Sequence, residues 1–586
     1  MTETLTITTE RVDDIPLLLA QMQQMGLPEL LDTSFPTHGN WQGLRPAWVT
    51  CIWLTHVLSQ ADHRLSYVQP WVAQHLACLQ HATGQAIRPL DFSDDRLASL
   101  LRHFSDDYYW QPFETALNRR LLRVYDLRPQ RVRLDSTTAS GYWGVAADGL
   151  FQFGHSKDRR PDLAQLKVML ATLDPLPLPL LSTVLPGQAA DDPLYCPAIE
   201  QVRRSVGRGG LLYVGDSKMA ARPTRAYVHA GRDYYLCPLP ETQLPPDWLD
   251  AYLAGVQDGT QPLRKIERQR ADGQVVEIAQ GYERTVDLRA TVDGWDYAWP
   301  ERHVVVRSVN AAASAERELQ QRLAAARAAV LALTERRRGK QRLRERGAVD
   351  EAIAAILAAH RVQEMLRVEV QEYWHERPVR AYKGQAARVE REWEFSLLVA
   401  VDPARLAQTV QRLGWRVYAT NQPAEQLSLE QAVLCYREEY LIEQSIGRLK
   451  GAPLSLRPFY LQRDDHAKGL VRLLLLGLRV LCLLEFVVRR NLAAAGESLS
   501  GLYAGQPQAR TSRPSAERLL GSFQDLTLTK IEQAGQSQYH VTSLSALQQR
   551  ILALLDFSPN IYTDLAVVFA QPPRKWAKGE SKGSKI

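Results

Sequence analysis

The sequence predicts a mixed α/β protein with a helical N-terminal region and a large insertion that divides its core. Three observations carry this reading. Between about 126 and 237, short apolar runs ending near acidic residues alternate with helix-like segments, as strands and helices of one sheet-based core do. The alternation stops over 238–412 and resumes from 413. Before residue 125 the apolar residues instead follow a helical spacing. At 586 residues the chain exceeds what one hydrophobic core organises, so about three to five structural units are expected.

Residues 1–125 contain the helix-like stretches Ile15–Met25 and Trp48–Leu58, separated by a turn-rich linker, Pro36–Pro46, with Gly39, Asn40 and Gly43. This region suits DNA binding or simple packing equally. Over 126–237, Arg131–Asp135 is a short strand candidate and Gly149–Gly154 begins another. Lys167–Leu173 is a third, Cys196–Val206 a helix, and Leu211–Gly215 a strand ending at Asp216. A further helix and the strand Asp233–Cys237 complete the run. The insertion, 238–412, opens with a hairpin-like Lys265–Asp287 turning at Ala271-Asp272-Gly273. Its middle, 311–333 and 349–372, is rich in Ala, Leu, Glu and Arg and reads as two long helices. The core resumes over 413–490 with the strand Trp415–Asn421 and the helix Leu429–Lys450, entered through a capping box of Ser428 and Gln431. Residues 491–586 hold a polar linker, Ala504–Ser515, a small mixed segment and a basic tail, and no internal repeat is evident.

Composition narrows the class. A hydrophobic fraction of 45% and a charged fraction of 23% are those of a soluble globular protein. The net charge of +6 permits nucleic-acid binding without requiring it, because distribution matters more than the total. Basic residues cluster in Glu335–Arg346, where a solvated helix face and DNA contact are both open readings, and in the tail Arg574–Lys585, which reads as disordered with a phosphate-contacting role open. Six scattered cysteines form no CxxC pair and sit at no metal-ligand spacing, which argues against a disulfide framework or a structural zinc site. The first residues lack the order of a signal peptide. The most apolar segment, Leu470–Val488, carries Arg472, Arg479 and Glu485 and reads as a long buried helix, since such charges are costly in a bilayer.

The chemical clue is the segment YREEYLIEQSIGRLK, 436–450. On a helix of about 100° per residue, Glu439, Glu443 and Lys450 fall within about 60° of Tyr436, while Ile442, Ile446 and Leu449 take a separate packing arc. Glu438 and Glu439 are rival acids to Glu443. Glu438 points about 140° from it and Glu439 lies closer. On local sequence alone, Asp135 also suits an Asx turn and Asp216 a helix cap.

These residues resemble the YREK signature of bacterial insertion-sequence DDE transposases of the insertion-sequence-four superfamily. Tyr436, Glu443 and Lys450 match at the signature's spacing, whereas Glu439 stands where the pattern has Arg. Asp135 in RLDSTTASGYW, Asp216 in LLYVGDSKMA, the segment GHSKDRRPDLAQLK (154–167) and Arg457-Pro458-Phe459-Tyr460 resemble the same group. The resemblance implies a ribonuclease H-like catalytic core, interrupted by the insertion between its fifth strand and the Glu-bearing helix. It implies catalytic, metal-binding roles for Asp135, Asp216 and Glu443, with two Mg²⁺ ions for which Mn²⁺ can substitute. Tyr436, Lys450 and Arg448 are the expected DNA contacts. Double-stranded DNA, as transposon ends and target, is the implied partner, bound by a homodimer in the bacterial cytoplasm at the nucleoid, with no membrane role. Some relatives hold a flipped base with an insertion-domain aromatic, a role for which Trp295 and Trp299 are candidates, although the ordinary core of a β domain is the favoured reading for both. His155 and His466 are not expected to be metal ligands. The alternatives are a ribonuclease H-like nuclease of repair or recombination, and a DNA-binding protein derived from a transposase that no longer cuts.

Overall fold

The computed structural model describes residues 5–37, 41–245, 247–270, 273–335, 343, 345–381, 384, 386–533 and 536–567. The chain forms two compact units, one of 1–237, 289–298 and 436–586, the other of 238–288 and 299–435.

The first unit is built on a five-stranded run of sheet. Its strands are β1 (Arg131–Gly141), β2 (Ala164–Asp174), β3 (Leu178–Pro186), β4 (Leu212–Gly215) and β5 (Tyr234–Pro238), in the order β3-β2-β1-β4-β5. β1, β2 and β3 pair antiparallel, while β4 runs parallel to β1 and β5 parallel to β4. Every residue of β2 is buried, which explains its apolar run without alternation. Two strand expectations need correction, and one strand, β3, is not foreseen. β1 does not end at Asp135, because Ser136–Gly141 continue to pair with β2 from Met169 back to Ala164. No strand begins at Gly149; only an isolated bridge joins Gln152 to Gln165. β3 was hidden by Pro177 and Pro179, which resemble loop residues but are tolerated beside a strand whose outer edge is unpaired.

Helices cover this sheet. α1 (Asp107–Val124) and α2 (Tyr195–Val206) present apolar stripes such as Phe113, Leu117 and Leu121, or Ala198, Ile199 and Val202. α3 (Tyr440–Lys450) follows the candidate site, and α4 (Asp464–Ala495) is the long buried helix foreseen over Leu470–Val488. Each charge in α4 has a partner. Arg479 pairs with Glu114 at 2.6 Å, Arg472 pairs with Asp107, and Glu485 holds Arg448 and Arg489. Gly469 allows α4 to approach the helix Asp94–Ser105, since a Cβ there would lie 2.1 Å from the Leu101 carbonyl oxygen. No described helix is long and apolar enough to cross a membrane.

The N-terminal region is helical from Ile15 onward but begins with a strand. Thr6–Arg11 pairs antiparallel with Thr527–Gln533, which in turn pairs with Gln536–Val541, so residues from both ends of the sequence share one small sheet. All six cysteines are free thiols.

The second unit contains the expected hairpin, Arg264–Gln269 against Val275–Val292. Ala271 and Asp272 of its turn, Gly39 and Asn40 of the linker, most of the 335–346 cluster and the basic tail lie outside the described residues. Helices Val309–Leu331 and Arg346–His360 pack through Leu319, Leu323, Ala326, Val349, Ile353 and Leu357. The helix expected over 349–372 stops early. Arg361 takes a left-handed conformation (φ 56°) and Leu366–Val379 forms a long antiparallel hairpin with Arg388–Val401. Its β-branched and aromatic residues alternate with charged ones, a strand period masked by the alanine-rich stretch before it. The strand Trp415–Thr420 pairs with Trp295–Ser308. The capping box forms as read, with Ser428 N–H donating to Gln431 Oε1 at 2.9 Å and Gln431 N–H to Ser428 Oγ at 3.2 Å.

Candidate active site

Strand register brings two of the expected acids together. Along the parallel pair, Arg131 lies opposite Leu212 and Leu134 opposite Gly215. The next residues are Asp135 and Asp216, so both carboxylates stand where the parallel pairing ends. The carboxyl ends of parallel strand pairs are common ligand sites. Asp135 Oδ1 accepts from Lys157 Nζ at 2.9 Å and from the Ser136 N–H at 2.7 Å. Asp216 Oδ1 accepts from the Tyr195 hydroxyl at 2.6 Å and from the Lys218 N–H at 2.9 Å. Burial pushes the Asp135 carboxyl up, Lys157 pulls it down, and the charge of Asp216 raises it further. Burial and then Asp216 also drive the Tyr195 hydroxyl well above its ordinary value, so it remains a donor.

The third element departs from the sequence reading. The helix expected from Leu429 to Lys450 is two helices, Leu429–Arg437 and α3, interrupted at Glu438 and Glu439. Tight turns cross the break, with Glu439 N–H donating to the Tyr436 carbonyl at 3.1 Å and Leu441 N–H to that of Glu438 at 3.0 Å. Glu438 reaches the sheet, lying 3.7 Å from Arg131 and 3.6 Å from Arg133, while buried Arg133 also pairs with Asp174 at 2.7 Å. One continuous helical wheel therefore does not relate Tyr436 to Glu443. A recess is lined by Arg133, Asp135, Gly215, Asp216, Tyr436 and Glu439. Glu443 does not line it and is exposed in the first turn of α3. Burial raises the Glu439 carboxyl, as do the charges of Asp135, Glu443 and Asp216, against a hydrogen bond from Tyr436.

Carboxylate oxygens dominate this corner, the ligand class that Mg²⁺ and Mn²⁺ favour. The donor chemistry thus fits a hard divalent cation. Its geometry is less complete, because among the described residues no group of three or more His, Cys, Asp or Glu is gathered to hold a metal ion.

The expected DNA contacts divide. Tyr436 lines the recess. Lys450 Nζ pairs with Asp158 at 2.8 Å, and burial lowers its ammonium. Arg448 turns inward onto the buried Glu485 and onto Glu517, with its own side chain only 10% exposed. Of the two candidate base-holding aromatics, Trp299 is buried and Trp295 is exposed. The sequence reading missed Lys157, Tyr195 and Asp158 as site neighbours. Lys157 and Asp158 sit within the quoted segment 154–167, but nothing in their spacing shows where that loop folds back.

No protein-family model matches the sequence, and no curated protein matches it. A solved structure, a piggyBac transposase synaptic complex with hairpin DNA, aligns with a TM-score of 0.30 and 8% identity, covering 86% of this chain and 76% of that one. A likeness at that level does not define the fold.

Proposed function

We propose that the protein is a DNA transposase that cleaves the ends of an insertion sequence and joins them to target DNA by phosphodiester hydrolysis and transesterification. The observation that carries this reading is the register placing Asp135 and Asp216 together at the end of a parallel strand pair. Support comes from the strand order, three antiparallel strands followed by two parallel ones, which suits a ribonuclease H-like core. In this reading Asp135, Asp216 and Glu443 hold two Mg²⁺ ions. When bound, such ions activate the attacking oxygen and stabilise the leaving one.

The chain's own groups prepare the site. Ser136 N–H orients Asp135, while Tyr195 and Lys218 N–H orient Asp216, so both present preset oxygen ligands. Tyr436 supplies a hydroxyl and Lys450 a point charge for end-DNA phosphates. Two copies of the chain would bring two transposon ends together. A second reading makes Glu439 the third carboxylate, because it lines the recess and Glu443 does not.

The test is Mg²⁺-dependent cleavage of duplex DNA carrying the sequences that flank the gene. Wild-type protein should cut at the element's ends, and folded Asp135→Asn and Asp216→Asn should not. Normal cutting by either variant refutes the assignment, and cutting indifferent to the flanking sequence points to a repair or recombination nuclease.

A further inference from the structure

The loop between β1 and β2 folds back onto the carboxylates and is fastened there. Asp158, with a side chain 5% exposed, receives Lys450 at 2.8 Å and also pairs with Arg457, while the Ser140 hydroxyl donates to its other oxygen at 3.3 Å. The Lys157 N–H donates to Thr138 Oγ1 at 3.1 Å, and the Asp158 N–H to Ser156 Oγ at 3.2 Å. These contacts hold the backbone at 157–158 against the outer half of β1. The Lys157 side chain extends from this fixed point to Asp135 Oδ1 at 2.9 Å and to the Ser136 carbonyl oxygen at 2.6 Å. It is 29% exposed, so its ammonium has a route to solvent.

Its neighbour Lys167 makes a different kind of pair. Lys167 is 5% exposed, held to Asp191 at 2.7 Å, and Asp191 accepts from the Ser136 hydroxyl at 2.9 Å. That pair is enclosed and ties β2 to the segment after β3. Lys157, in contrast, joins a flexible four-carbon stem to one of the two paired aspartates.

We propose that Lys157 is a built-in counter-cation, which occupies Asp135 when no divalent ion is bound and is displaced when one binds. This rests on the metal-centre reading above and goes beyond it. Two close carboxylates repel each other and need a positive charge in either state. An ammonium supplies one charge through a single ion pair, whereas a divalent ion supplies two and can engage both carboxylates. Displacement needs no backbone movement, because the strap at Asp158 stays in place while the Lys157 side chain rotates outward. The released ammonium would then lie beside the site, where a phosphodiester oxygen is the natural partner.

Two measurements on the full chain without DNA test this. Mn²⁺ binding, followed by titration calorimetry, should be tighter in Lys157→Met than in wild type by up to about fivefold, the range for losing a partly exposed competing ion pair. Lys157→Arg should not tighten it, and Asp135→Asn should weaken it. In the wild-type protein, mass spectrometry should show Lys157 acylated several-fold faster at saturating Mn²⁺ than without it. If Asp135→Asn weakens Mn²⁺ binding but Lys157→Met does not tighten it, or Lys157 acylation ignores Mn²⁺, the counter-cation role is wrong and the metal centre stands. If Asp135→Asn leaves Mn²⁺ affinity unchanged, the metal-centre reading itself fails.

Discussion

Arg479→Met would break the most deeply buried ion pair in the first unit. Arg479 and Glu114 are 0% and 1% exposed and 2.6 Å apart, joining α4 to α1. Arg479 Nε also donates to the Pro179 carbonyl of β3 at 2.9 Å. The Ser182 hydroxyl donates to Glu114 Oε1 at 2.6 Å, and Gln201 to Oε2 at 3.3 Å. Methionine replaces part of the aliphatic stem but leaves Glu114 with neutral donors alone and the Pro179 carbonyl without this donor. Removing one partner of a buried pair costs about 3–5 kcal/mol. The double variant Arg479→Met/Glu114→Met removes the stranded charge as well and is expected to recover most of that loss. Urea unfolding gives the free energies, and hydrogen exchange of peptides covering 107–124 and 464–495 places the effect. A single variant as stable as wild type, or a double variant less stable than the single one, refutes the reasoning.

Other predictions follow from the same contacts. Glu443→Gln should lower Mg²⁺-dependent cleavage by more than the roughly ten- to hundredfold typical of losing a group behind a metal ligand, and Glu439→Gln should fall inside that range. The reverse order in the cleavage assay makes Glu439 the third carboxylate. Arg448→Ala should lower the unfolding midpoint yet leave the salt dependence of DNA binding unchanged, whereas Lys450→Ala should flatten the salt slope by about one. Burial pushes the Asp14 carboxyl from 3.8 up to about 6. The folded state therefore holds its proton more tightly, a contribution present in full below pH 3.8 and lost as pH rises through about 6. Asp14→Asn should thus stabilise the protein at pH 8, on the order of 2–3 kcal/mol, and have little effect near pH 4 in thermal melts.

Local pattern made much of this legible. The apolar run 167–173 and the apolar length of 470–488 each lie within an element, and the run 211–215 overlaps the strand Leu212–Gly215 that precedes Asp216. Ser428 and Gln431 formed their cap because capping depends on residues three positions apart. What sequence spacing could not reveal depended on tertiary partners. The break at Glu438 involves Arg131 and Arg133, some three hundred positions earlier, and one ideal helix placed Glu439 and Glu443 on a common stripe. The carboxylates that Arg448 pairs with, Glu485 and Glu517, lie on other elements, so its spacing in the sequence does not show them. The helix-forming composition before the hairpin Leu366–Val401 ends at His360, and its alanine-rich run masks the strand period that follows. Lys157 belonged to a recognisable segment, but only the folded loop lays its ammonium on Asp135.

The proposed function depends on Asp135 and Asp216 together holding a divalent metal for phosphoryl transfer. Crystals grown with Mn²⁺ and a DNA duplex carrying the element's end test it most directly, through anomalous scattering measured at the manganese edge. The expected result is a manganese peak at the two aspartates, with Lys157 displaced from Asp135. Ordered DNA with no peak at the aspartates, or manganese bound elsewhere while Lys157 keeps its place, would contradict it.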